Sequence, residues 1–178
     1  MAFMTADAIL GWHDFFETIS QVGATLAGLL FVGLTISLPH VLGVSGYLSR
    51  AFAALFLQFE MLVIGLWGLL PGQSGFALGV EFIATGVAFA IGITTFAWNF
   101  PEDGQSVLGG FGPRIVRLTL ALGGTWLPVI AGIGLVAGRA DALYLLMPTA
   151  ICCLYLSIGN AWVFAVEIPR RKQQQTEL

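Results

Sequence analysis

Glu60 stands inside the run L-F-L-Q-F-E-M-L-V-I-G, Leu55 to Gly65, with no basic residue near it in sequence. An acid in such a run can do three things: carry a proton, hold a cation or trapped water, or hydrogen-bond a neighbouring helix. A helix over the surrounding apolar residues, Ala51 to Leu70, puts Glu60 ~15 Å from either end at about 1.5 Å per residue. A glutamate cannot stretch that far to water. Placing an acid at the centre of a membrane helix costs roughly 2.5–3.5 kcal/mol on insertion scales. Such residues face a bundle interior or a wet cavity and by default mark an ion or proton path. The structural reading is a single interhelical hydrogen bond, worth only about 0.6–2 kcal/mol in a membrane.

Other polar residues extend this picture. Glu81 lies in F-A-L-G-V-E-F-I-A-T, a few residues inside the third apolar segment, and Gln21 lies at similar depth in the first. Residues four apart share a helix face, so Glu17, Gln21, Thr25 and Gly28 form one stripe. Depth alone then orders an acidic ladder: Glu17, then Gln21 and Glu81, then Glu60. Its lateral closeness is an assumption. The opposite half carries Thr94, Thr95, Ser157, Asn160 and Arg117. Arg117 is expected to snorkel to the surface and Asn160 to bond a neighbouring helix. His13 and His40 stand at opposite ends of the first segment, ~40 Å apart along a helix, so they cannot share a metal within one chain. Cys152 and Cys153 are adjacent and match no C-x-x-C pattern. No cofactor is expected.

These residues need helices to hold them. The chain has 178 residues, 57% hydrophobic and 10% charged, with a mean hydropathy of +0.90. Soluble domains carry about 25% charge, and a chain this small could not hide so much apolar surface from water. The expected fold is all-α: one transmembrane bundle over 1–168, with spans at about 16–38, 51–70, 76–98, 115–138 and 142–166, and a polar tail at 169–178. Backbone groups in lipid are satisfied only within helices or closed barrels, and continuous apolar runs without two-residue alternation exclude a barrel. Pro128 and Pro148 lie within spans four and five and predict kinks. Trp126, in mid-span, is expected to pack against another helix. Basic residues set the orientation. Arg50, Arg114, Arg117, Arg170, Arg171 and Lys172 would share one side, with Arg139 alone on the other. That places the N-terminus outside and the C-terminus in the cytoplasm. Trp12 and Trp67 near one interface, and Trp98 and Trp162 near the other, fit aromatic belts.

Span one reads G-A-T-L-A-G-L-L-F-V-G-L-T-I-S-L, Gly23 to Leu38, and precedes Arg50-Ala51 and a second span ending at Leu70-Pro71. Over roughly these first 70 residues the chain resembles a broad group of small bacterial integral membrane proteins of unknown function. The resemblance implies a multi-pass protein of the bacterial cytoplasmic (inner) membrane and supplies no activity. Enzyme motifs such as H-E-x-x-H and G-x-S-x-G are absent from the sequence. The seven Lys and Arg residues form no basic face for nucleic acid. Two functions are expected to compete. One is a homo-oligomeric channel or transporter subunit for protons or small cations, with its pore most simply on an axis between copies. The other is a non-catalytic membrane scaffold, assembly or regulatory subunit bound to another membrane protein.

Overall fold

The computed structural model describes residues 9–41, 47–98 and 114–162. The tail at 169–178 and the connection after Trp98 lie outside the described residues. Five helices follow one another: α1 His13–Val41, α2 Tyr47–Gly68, α3 Gly75–Trp98, α4 Arg114–Val136 and α5 Leu146–Trp162. A 3-10 turn, Ala140–Leu145, leads into α5. Among the described residues there is no strand. Among the described residues, five segments are long and apolar enough to cross a membrane, the last made by the 3-10 turn and α5 together. This is the make-up of a multi-pass membrane protein.

The connections explain where helices stop. Gly72 takes a left-handed φ of 70°, and Ser74 Oγ then accepts the Ala77 N–H at 3.2 Å, the N-cap that starts α3. After α4, Gly138 takes φ 79°. Its N–H bonds the Leu135 carbonyl at 2.9 Å, and the Arg139 N–H bonds the Gly134 carbonyl at 2.9 Å. This is a Schellman close, which a glycine makes without strain. Arg139 then pairs with Asp141 at 2.8 Å on the surface. Pro148 differs from the expectation of a mid-helix kink. It falls in the first turn of α5, because the residues before it are wound as a 3-10 turn, and in a first turn the missing N–H has no partner to lose.

Helices α1 and α2 close on small residues. A Cβ at Gly65 would meet the Phe16 carbonyl at 2.8 Å, one at Gly23 would meet the Leu62 nitrogen at 3.0 Å, and the face of Gly68 is filled by the Phe16 ring. Helices α3 and α4 meet most tightly, with Gly79 and Gly132 facing each other's carbonyls. Between α2 and α3, Trp67 donates to Thr85 Oγ1 at 3.0 Å and Phe56 lies edge-on to Phe89 at 5.0 Å. Half of the α2 span is buried, 50%, against 28% for α1. Helix α2 is therefore the central element and α1 a peripheral one. Trp126 corrects a second expectation: it is 49% exposed. The inward face of α4 is Thr125, Val129, Gly132 and Leu135, and the backbone approach at Gly132 leaves no room there for an indole.

Candidate functional site

Helix α2 carries the candidate site. Glu60 is 0% exposed and lies mid-way along the span Ala51–Gly68. Its azimuth follows from neighbours on the same helix. Phe56, one turn earlier, faces α3 through Phe89, as Trp67 does through Thr85. Leu57 faces α4 beside Gly124. Glu60 falls between these two directions, inside the bundle. From α5, the buried Cys153 packs where Leu57 and Gly124 meet. Among the described residues, neither carboxylate oxygen has a hydrogen-bond partner.

That last fact bears on the readings of Glu60. A structural glutamate would be held by a hydroxyl, amide or backbone N–H, because an unpaired buried polar group costs roughly 1–3 kcal/mol. Two buried hydroxyls donate along their own helices: Thr125 to the Ala121 and Leu122 carbonyls at 3.2 Å each, and Thr149 to the Leu145 carbonyl at 3.1 Å.

Gln58 is a site residue that the search for charge passes over, although it stands two residues before Glu60 in the same run. It is fully buried, and its Nε2 donates to Ser157 Oγ and to the Cys153 carbonyl at 3.3 Å. It ties α2 to α5, the role the sequence suggested for Asn160. Residues two apart point to different sides of a helix, so Gln58 does not serve Glu60. One amide buried at mid-span is the signal that marks it.

The acidic ladder does not gather in the interior. Glu17, Gln21 and Thr25 do share a face: Gln21 Nε2 donates to Glu17 Oε1 at 2.9 Å and Thr25 Oγ1 to the Gln21 carbonyl at 2.7 Å. All three are exposed. The inward stripe of α1 is Phe16, Ile19, Ser20, Gly23 and Leu30, and one residue further round the helix points outward. Glu81 is half-buried on α3 and accepts from Gln73 Nε2, beside the α2–α3 turn. Of the proposed path residues, Glu60 alone sits in the core. The side chains of Arg117 and Asn160 lie outside the described residues.

Ligand atoms of His13, Asp14 and Glu17 lie within 4.8 Å of one another at the start of α1, all exposed. Glu17 is already bonded to Gln21, and the group has no buried member to fix a metal. Glu60 is enclosed by its own chain. Comparison with protein-family models, with curated proteins and with solved structures finds no match, and the chemistry of the site therefore rests on its own geometry.

Proposed function

We propose that this chain is a channel or transporter subunit of the bacterial inner membrane that moves protons or small cations, with Glu60 as its central acid. The observation that carries this reading is the fully enclosed carboxylate without a hydrogen-bond partner among the described residues. An acid that only glued helices would have its bond made. An acid that exchanges an ion must leave its oxygens free for the ion. Glu81, half-buried on α3 beside the α2–α3 turn, supplies negative potential toward that end of the bundle. The basic residues place that end outside by the positive-inside rule, with the C-terminus cytoplasmic. The test is flux from vesicles containing the purified chain. Glu60→Gln keeps size and polarity and removes the ionisable group. Flux is expected to fall at least tenfold with the protein still folded and assembled, and unaltered flux removes Glu60 from the mechanism.

The polar stripe of α1 supports a second element of the proposal, a homo-oligomer. Glu17, Gln21 and Thr25 face outward from a spanning helix, where lipid offers no hydrogen bonds. Beyond them Gly28 has open space on its Cβ side, which suits close helix approach. A second copy presents the same amide and hydroxyl, each able to donate and accept. Thr25→Cys is therefore expected to cross-link into dimers in native membranes under mild oxidation, while a cysteine at Ile91 on the outer face of α3 stays monomeric. Cross-linking of Thr25→Cys to a different protein would favour the scaffold reading, in which this face docks a partner subunit.

A further inference from the structure

We infer that ions reach Glu60 along the seam between α2 and α3, entering at the α2–α3 turn, and that the hydrogen bond from Trp67 to Thr85 is the barrier across that seam. The inference rests on the reading of Glu60 as a working carboxylate and names the route to it.

Glu60 shares a face of α2 with the residues that make that seam. A helix turns about 100° per residue, so Phe56, Glu60 and Trp67 fall within about 40° of one another. Phe56 and Trp67 both meet α3. Phe56 lies edge-on to Phe89 at 5.0 Å, with Gly92 under its ring. Trp67 Nε1 donates to Thr85 Oγ1 at 3.0 Å. Along α2 from Phe56 to Trp67, the partner on α3 steps back from Phe89 to Thr85, so the two helices run antiparallel. Glu60 stands between the two contacts, ~6 Å from the level of Phe56 and ~10 Å from that of Trp67 along the helix. The ring pair closes the seam on one side of the acid, and the indole–hydroxyl bond closes it on the other.

The two closures differ in what lies beyond them. Past Phe56 and Phe89 the facing positions are Ala53, Gly92 and Ile93, which bring no polar side chain. Past Trp67 and Thr85 the seam is polar. Glu81 lies one turn before Thr85 on the same face of α3. It is half-buried and accepts from Nε2 of Gln73, a residue of the α2–α3 turn. Gln73, Glu81 and the buried Thr85 therefore lead in that order from the turn toward the depth of Glu60. A descending polar series exists in the bundle, on α3 rather than on α1.

The hydroxyl at the barrier is suited to pass an ion on. Thr94, Thr125 and Thr149 give their hydroxyl hydrogens to carbonyls of their own helices. Thr85 instead meets α2, where its oxygen accepts the indole N–H, and a hydroxyl that accepts one bond still has a hydrogen to give and a second lone pair. With Trp67 in place the indole fills the seam. With Trp67 swung aside, Thr85 offers its oxygen to a cation or its O–H to a proton relay, between Glu81 and Glu60.

The experiment uses the full chain in lipid vesicles, with an internal pH dye for protons and labelled sodium for a metal cation. The flux read is the one that Glu60→Gln abolishes. Trp67→Phe keeps a ring and removes the N–H, and Thr85→Val keeps the shape and removes the hydroxyl. Both lose the same bond, yet opposite results are expected: flux per folded molecule rises severalfold in Trp67→Phe, where the barrier is loosened, and falls severalfold in Thr85→Val, where a polar step is gone. A bond that only tied α2 to α3 would lower the unfolding midpoint in both and leave flux per folded molecule alone, and that result overturns the inference. Changes of the same sign in both variants overturn it as well. The side of entry is read separately, with Cys152 and Cys153 replaced by alanine. Thr85→Cys is expected to react with a charged, membrane-impermeant thiosulfonate, and to lose flux, from the side on which Pro71→Cys in the exposed turn reacts. Reaction from the opposite side, or none, overturns the route. Flux that depends on Glu60 but not on Trp67 or Thr85 overturns the route alone. If Glu60→Gln changes no flux, the reading of Glu60 fails and this inference with it.

Discussion

Glu60→Leu is expected to make the bundle more stable while abolishing flux. The two effects have one cause. In the native chain the carboxyl is fully buried among Leu57, Met61 and Ile64 on its own helix and the core of α3 to α5, and its oxygens lack protein partners. Replacing a buried, unsatisfied polar group by an apolar one of similar size removes its desolvation penalty of about 1–3 kcal/mol. Leucine is slightly shorter in reach than glutamate but branched, so it fills the same space. The midpoint of thermal unfolding in detergent should rise by several degrees, since a chain of this size shifts by ~2–4 °C per kcal/mol. The scaffold reading expects the opposite. If a partner helix bonded Glu60, leucine would forfeit that bond, and the complex would loosen. A lower midpoint for Glu60→Leu, with Glu60→Gln near wild type, would show an acid retained for structure.

The same reasoning separates Glu60 from Gln58. Both are fully buried on α2 in the same apolar run. Gln58 spends its amide N–H groups on Ser157 and the Cys153 carbonyl, so it fixes α5 against α2 and has the profile of an interhelical bond. Glu60 has no such commitment. A tie beside an uncommitted acid gives the acid a fixed frame: Gln58 holds α5 against α2, and Gly124 of α4 is buried on the side of Leu57 and Cys153.

Much of the fold is legible in the sequence, because lipid imposes a length. The five apolar runs are each long enough to span, and among the described residues five helical segments long and apolar enough to cross a membrane follow. The depth of a residue is equally legible, since it is a count of residues from the end of a span. That is why the central position of Glu60 can be read directly. Azimuth is harder. In a soluble helix the polar face marks solvent, but here lipid and core are equally apolar, and composition does not say which side faces in. Leu29, Phe31 and Ile36 face outward while Leu30 and Leu34 are buried, and nothing in their types distinguishes them. The ladder of Glu17, Gln21 and Thr25 failed to enter the core for this reason, and Trp126 turned outward for the same one. Glycine is the better guide to what faces in. Gly23, Gly65 and Gly68, and Gly79, Gly86 and Gly132, all mark close approaches, because without aqueous hydrophobic pressure membrane helices associate by packing. Gly28 and Gly33, with nothing near them, show that a glycine alone does not prove a contact within the chain.

Gly132→Leu is expected to prevent the bundle from forming. The position lies where α4 crosses α3 with backbones almost touching. A Cβ there would stand 2.5 Å from the Gly79 carbonyl oxygen and 3.0 Å from the Ile83 nitrogen. Both are main-chain atoms of a helix, so neither can swing aside as a side chain can, and the two helices must separate. Reciprocally, a Cβ on Gly79 would meet the Gly132 carbonyl oxygen at 2.7 Å, so the contact is tight from both sides. Overpacking a well-filled core by even small groups costs about 1–3 kcal/mol, and Gly132→Ala should fall in that range, visible as a lowered unfolding midpoint. Leucine adds three more carbons to the same contact and exceeds what α3 can yield. The expected result is loss of the monodisperse peak on size exclusion and degradation in the cell. Gly123→Ala is the matched control, on the same helix and with nothing within 4 Å of its added Cβ. Alanine there gains roughly 1 kcal/mol of helix propensity over glycine, so that variant should be at least as stable as the native chain. The pair also bears on Glu60. Leu57 and Gly124 bring α2 to α4, and α4 is held in place by its seam with α3. A milder wedge, Gly132→Ala, should therefore shift α4 against α2 near Glu60 and lower flux by more than its modest loss of stability explains. If flux per folded molecule stays at the native level in Gly132→Ala, α4 takes no part in the chemistry, and the carboxylate acts without it.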